Sequence, residues 1–150
     1  MKRTRFDDWP CGIARTADLV GDWWTPLVLR QAFFGVRRFD DFAATLGIPR
    51  ASLSARIDRL VDAGLFDKVA YSESPPRHEY HLSAKGEAFL DVLLAMWRWG
   101  EDWLNPADDP IPVRLVDAET GAVVRPKVVD ETTGAPIDRT RLRLRPLDRA

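Results

Sequence analysis

Apolar positions recur at helical spacing twice in quick succession in the middle of the chain, and then give way to short strand-like runs. Phe39, Phe42, Ala43 and Leu46 mark the inner face of a short helix over 38–46, which Gly47 ends. Pro49 restarts the chain, since a proline in the first helical turn loses no intrahelical bond, and Gly64 closes the second helix over 49–63. Leu53, Ile57 and Leu60 form its buried stripe. Two short helices meeting at a glycine predict a helix-turn-helix. Residues 65–71 and 77–82 then read as strands, and the polar segment Ser72, Glu73, Ser74, Pro75 and Pro76 between them is a turn. That hairpin is a candidate wing.

The flanks carry most of the large apolar residues. Upstream, 14–20 reads as a short helix ending near Gly21, and 23–34 as a longer one interrupted early by Pro26, with Trp23, Trp24, Leu27, Val28 and Phe34 as its buried payload. Downstream, Ser83 caps a long helix running to about Leu104; Gly86, three positions on, leaves the capping box incomplete. Phe89, Leu93, Met96, Trp97, Gly100 and Trp103 mark a stripe on it, and Leu90, Val92, Leu94 and Trp99 widen that stripe beyond the needs of one small domain. A second copy of the chain is the expected partner, the competing occupant being the C-terminal segment folded back.

After Asn105 the texture changes. Val116-Asp117-Ala118-Glu119-Thr120-Gly121-Ala122 is echoed by Val129-Asp130-Glu131-Thr132-Thr133-Gly134-Ala135, each Thr-Gly suiting a turn, so 113–116, 123–129 and 137–144 are expected to form a small antiparallel β appendage. The expected architecture is α+β: a winged helix-turn-helix domain with a long C-terminal dimerisation helix, followed by that appendage. Its divisions are a flexible arm over 1–10, the DNA-binding and dimerisation domain over 11–104, a linker over 105–112 and the β-rich extension over 113–150.

Charge alters this picture little. A formal net charge of −1 on 150 residues does not advertise nucleic-acid binding, and Asp58, Asp62 and Asp67 oppose it locally, so any affinity must come from a basic face repeated in a dimer, with help from Lys2, Arg3 and Arg5. Ser52, Ala55, Arg56 and Arg59 lie on a face of the second helix beside its apolar stripe. Short side chains permit close approach to a groove and guanidiniums bind guanine edges or phosphates, so Ser52, Arg56 and Arg59 are candidate base contacts. Read alone, the same face also fits an ordinary solvated helix. Arg38, Arg50, Lys68, Arg77 and His78 are candidates for phosphate backbone and wing contacts. Arg139, Arg141, Arg143 and Arg145 alternate on an expected strand, as a solvated face or a phosphate track.

Catalysis and cofactors find no support. No nucleophile–base–acid set, phosphate loop or metal cluster is evident, and Asp40-Asp41 and Asp108-Asp109 read as surface or helix-start residues. With Cys11 as the one cysteine and His78 and His81 as the only histidines, neither an intrachain disulfide nor a zinc site is expected. No apolar run follows the basic N-terminus, so a cytoplasmic, nucleoid-associated protein is expected.

Several ordered motifs over residues 11–104 resemble the HxlR-type winged-helix transcriptional regulators, relatives of the MarR-type regulators. They include Cys11, Gly21-Asp22-Trp23, Arg38-Phe39-Asp40-Asp41-Phe42, Gly47-Ile48, Leu53-Ser54-Ala55-Arg56-Ile57, Gly64-Leu65, Pro76-Arg77-His78-Glu79-Tyr80, Leu82-Ser83 and Trp99-Gly100. The resemblance implies a homodimer that places the 49–63 helix in the major groove and the 65–82 hairpin toward the flanking minor groove. It would act as a sequence-specific regulator of a palindromic double-stranded operator, with repression the expected sign. It also implies that Cys11 couples an oxidant or electrophile to release of DNA, a small molecule being the alternative effector; the rival role for Cys11 is packing beneath the 23–34 helix. The two Asp-x-x-Thr-Gly echoes resemble a metal-binding tail of longer members with its ligands replaced at Asp117, Thr120, Asp130 and Thr133. The competing function is a winged-helix protein-interaction module with little or no DNA binding, which salt dependence of duplex affinity would separate.

Overall fold

Gly47 turns the chain between the two central helices. At φ +61 it occupies a left-handed conformation that a side chain would oppose, so it ends α3 (Phe39–Leu46) and leads through Ile48 and Pro49 into α4 (Arg50–Asp62). The computed structural model describes residues 5–104 and 112–145. Within them α1 (Gly12–Val20) and α2 (Thr25–Phe33) precede α3. After α4 come β1 (Phe66–Glu73), β2 (Pro76–Leu82), α5 (Ala84–Glu87) and α6 (Leu90–Trp103). The fold is the α+β winged helix-turn-helix expected from the patterning, ending in a C-terminal helix pair and a small appendage. It divides into two units, Met1–Leu93 and Leu94–Ala150. Lys2 and Arg3 of the expected arm, and residues 105–111 of the expected linker, lie outside the described residues.

The core of the first unit is built where the apolar stripes converge. Leu53, Ile57 and Leu60 of α4 are buried as expected, against Phe42 of α3 and Val28 and Leu29 of α2. Phe66 at the start of β1 stands 6.2 Å from Phe42 and 6.4 Å from Tyr80, joining hairpin to helices through tilted rings. Two aromatic residues expected inside are outside. Pro26 falls at the first turn of α2 and delays its start to Thr25, so Trp23 precedes the helix and is 90% exposed; Phe34 is the C-cap and is exposed.

The hairpin pairs from Phe66↔Leu82 to Glu73↔Pro76, with a register shift between Ala70 and Ser72 that leaves Tyr71 unpaired. The strands run further than expected, leaving only Ser74 and Pro75 in the turn. Pro76 ends the ladder, where its missing N–H is tolerated. A single bridge from Arg38 to Glu79 and an N–H of Tyr80 donated to the Arg37 carbonyl (2.8 Å) attach the ribbon to the start of α3.

The expected long C-terminal helix is two helices. Ser83 Oγ accepts the Gly86 N–H (3.1 Å) to cap α5 and donates to the Gly64 carbonyl (2.6 Å), tying α5 to the end of α4. Gly86 is pressed onto the backbone there: a Cβ would stand 2.2 Å from the Leu65 carbonyl oxygen. Gly86→Ala is therefore expected to destabilise the protein by about 1–3 kcal/mol or more, as overpacking does. Chemical denaturation checks this, and an unchanged midpoint would contradict the close approach.

In the second unit the sequence echo is a structural repeat. Asp117 Oδ1 accepts the N–H and hydroxyl of Thr120 (both 2.7 Å), and Asp130 Oδ1 accepts those of Thr133 (2.9 and 3.0 Å). Single antiparallel bridges, Val116↔Val123 and Val129↔Pro136, close the two turns. The expected strand lengths are not reached, because side chains capture the backbone groups that a ladder would use. In the third stretch Asp138 accepts the Thr140 N–H (2.9 Å) and starts a 3-10 turn, Arg139–Arg141. Arg139, Arg141, Arg143 and Arg145 consequently do not alternate along a strand. The carboxylates of Asp117 and Asp130 sit below their ordinary range because the threonine hydrogen bonds favour the ionised form. No helix among the described residues is long and apolar enough to cross a membrane.

Candidate nucleic-acid interface

An α-helix packed on one side leaves its opposite side open, and for α4 the open side is not the arginine flank. Ala51, Ser54, Ala55 and Asp58 are exposed and lie across the helix from Leu53, Ile57 and Leu60. These side chains are short, and Ser54 Oγ donates to the Asp58 carboxylate (3.3 Å). Ser52, Arg56 and Arg59 occupy one lateral flank, all half-buried.

That flank is tied to the N-terminal helices. Arg56 Nε lies 3.3 Å from Asp22 Oδ1, and one guanidinium N–H reaches the Ser52 carbonyl (3.4 Å). Arg59 donates to the Asp18 main-chain oxygen and stands 3.3 Å from its carboxylate. Asp18 is 4% exposed, and its carboxylate also accepts the Phe6 N–H (3.3 Å) and faces Arg5 Nε at 3.5 Å. Asp22 caps α2 through the N–H groups of Trp24 (2.9 Å) and Thr25 (3.0 Å) and accepts the Thr25 hydroxyl. Burial opposes its ionisation, but the Thr25, Trp24 and Arg56 hydrogen bonds outweigh burial and hold its pKa below the ordinary 3.8. The stability it lends is complete at neutral pH and is lost as acid titrates it through that depressed value.

The remaining basic candidates sit at the turn and on the ribbon. Arg50, exposed at the start of α4, pairs with Asp40 (2.7 Å) and lies 4.8 Å over the Phe39 ring. Arg38 pairs with Glu79 (3.0 Å) and lies 4.5 Å over the ring of Tyr71, the residue the bulge displaces. Lys68 stands opposite Tyr80 and Ala70 opposite His78, so Lys68 and His78 share one face of the ribbon, while Arg77, exposed beside the turn, projects from the other.

The expected dimer residues separate into two stripes. Phe89 is buried in the core and Leu93 packs against it, so both face inward; Trp97 and Gly100 are half-buried. Val92, Met96, Trp99 and Trp103, spaced four, three and four apart, form an outer stripe, on which Met96 is 51% and Trp103 74% exposed. Sequence reasoning merged the two because both are apolar. Cys11 is the N-cap residue of α1 and is exposed, which removes the packing role considered for it. Arg15 turns toward the Trp9 carbonyl (2.6 Å).

The family model for HxlR-like helix-turn-helix proteins matches residues 19–108. The chain belongs to that family. An HTH-type transcriptional regulator of Mycobacterium tuberculosis (strain ATCC 25618 / H37Rv) is 42% identical over 125 residues, which are 83% of this chain and 78% of that protein. PA1607, reported as a transcription factor, is 36% identical with a TM-score of 0.84, covering 95% of this chain and 99% of its own. The redox regulator HypR in its reduced form is 26% identical with a TM-score of 0.57, over 61% of this chain and 92% of its own. The HxlR-like family is one of transcriptional regulators, not enzymes. Among the described residues no group of three or more His, Cys, Asp or Glu could hold a metal.

The residues missed from the sequence were Asp18 and Asp22, the partners of the two α4 arginines. Asp18 carried a faint signal, a carboxylate adjoining Leu19 and Val20 on the buried side of a short amphipathic helix.

Proposed function

We propose that this HxlR-like protein binds double-stranded DNA sequence-specifically as a homodimer on a palindromic operator, with α4 in the major groove and the hairpin along the flanking backbone. One observation carries the reading: beside the Gly47 turn, α4 leaves uncovered a face of short side chains, Ala51, Ser54 and Ala55, that a groove can admit. Arg38 and Arg50 flank that face at the start of α3 and α4, and Lys68, His78 and Arg77 extend the basic character along both faces of the wing. Two copies multiply these phosphate contacts, which the near-neutral chain requires. Selection of bound duplexes from a random library tests the proposal. An inverted repeat should be enriched, and Arg77→Ala should weaken binding to all duplexes alike while lowering the salt slope by about one unit. No enrichment at low salt would leave an interaction module as the better reading.

Regulation through Cys11 is part of the same proposal. It rests on the thiol's exposure at the start of α1 and on the similarity to HypR. Mild peroxide or quinone treatment should reduce operator affinity of the wild type and not of Cys11→Ser. Equal responses of the two proteins would exclude this cysteine as the sensor.

A further inference from the structure

Arginines on a recognition helix are the obvious readers of bases, yet both of those on the body of α4 are already engaged. Arg56 and Arg59 lie three residues apart on one flank, and their partners Asp22 and Asp18 lie four apart across the α1–α2 junction, so two acid–base pairs hold the helix side by side. The Asp18 carboxylate is nearly inaccessible, and Arg59 gives it both a charge and a main-chain hydrogen bond. Releasing either arginine to a base would strand a buried carboxylate, which costs more than one base contact returns. The apolar stripe fixes how deeply α4 sits. Residues on a single lateral flank fix its rotation about its own axis, and therefore which side chains meet the groove.

Resting on the DNA-binding reading above, we propose that Arg56 and Arg59 are positioning residues, locked to Asp22 and Asp18 to set the angle of α4, and that Ser54 and Asp58 are the residues that read bases. Ala51 and Ala55 lie on the same exposed face. The chemistry of this face specifies its targets. A carboxylate can only accept hydrogen bonds, and among major-groove edges the cytosine amino group offers a donor that Asp58 can use. The alanines suit thymine methyl groups, and the Ser54 hydroxyl serves as donor or acceptor. Ser54 donating to Asp58 orients the carboxylate in the free protein.

The decisive variants remove acid rather than base. Asp18→Asn makes the protein more positive, so electrostatics alone would tighten its grip on DNA; loss of positioning would loosen it. We expect Asp18→Asn and Arg59→Ala each to bind the wild-type operator about tenfold or more weakly, with unchanged base preference and unchanged salt slope. Asp58→Ala should lose enrichment of one cytosine in each half-site and keep the rest. Measurements are made well below each variant's melting temperature. If Asp18→Asn does not fold, Arg59→Lys takes its place: it keeps the charge, cannot reproduce both contacts to Asp18, and should weaken binding uniformly. An Asp18→Asn protein that binds as tightly as wild type or tighter overturns the proposal. So does an Arg59 variant that changes preference at one base pair, or one that lowers the salt slope by a full unit as a lost phosphate contact would. In both cases wild-type enrichment would stand, whereas failure of the DNA-binding reading itself shows as no enrichment by wild type.

Discussion

Replacing Met96 with glutamate is expected to convert the protein from dimer to monomer and to lower operator affinity by about two orders of magnitude, because half of the phosphate contacts are lost. None of the 14 residues of α6 is buried within the protomer, although the helix carries three tryptophans, a methionine and several aliphatic residues. A helix so apolar and so little covered needs another surface. Met96 is central in the outer stripe of Val92, Met96, Trp99 and Trp103, so an unpaired carboxylate there would be buried by association and oppose it. The same helix offers polar positions elsewhere: Arg98 and Asp102 pair at 2.6 Å, and Asp102 also meets Arg125 at 3.1 Å. Light scattering with operator titration measures both effects. A Met96→Glu dimer of undiminished affinity would place the interface elsewhere, whereas Phe89→Glu is uninformative about association since Phe89 belongs to the core.

What was legible in the chain was what local chemistry decides. The turn between α3 and α4 depends on one glycine and one proline, and both helices fall within a residue or two of their expected bounds. The hairpin was legible for the same reason. What could not be read was which of several polar faces on α4 is covered, since this depends on carboxylates some forty positions earlier that reach it only in the folded chain. Apolar identity misled for Trp23, whose place is set by where Pro26 lets α2 begin. In the tail, strand-like alternation was overridden by aspartate–threonine pairs that close the backbone into turns. The echo itself, a feature of sequence, survives as two turns with the same hydrogen bonds. Similarity to PA1607 extends over 95% of the chain, beyond the 19–108 span of the family model.

Ala55→Glu is expected to abolish measurable operator binding, a loss of about a hundredfold or more, while leaving the fold intact. Ala55 is exposed in the middle of α4, on the side away from Leu53, Ile57 and Leu60. Glutamate is a good helix former, and a surface substitution at such a site changes stability by about 0.5 kcal/mol or less. In the complex the consequences are severe: a longer side chain blocks the close approach that alanine allows, and its carboxylate faces a groove bordered by phosphates without a cation to pair with. Asp58 on the same face shows that one carboxylate is tolerated where it is short and held by Ser54. A second, longer one one turn away has no such partner. Unchanged thermal unfolding together with lost binding is the expected pair of results. Retained binding at unchanged stability would show that this side of α4 does not enter the groove, and would return the arginine flank to consideration as the reading surface.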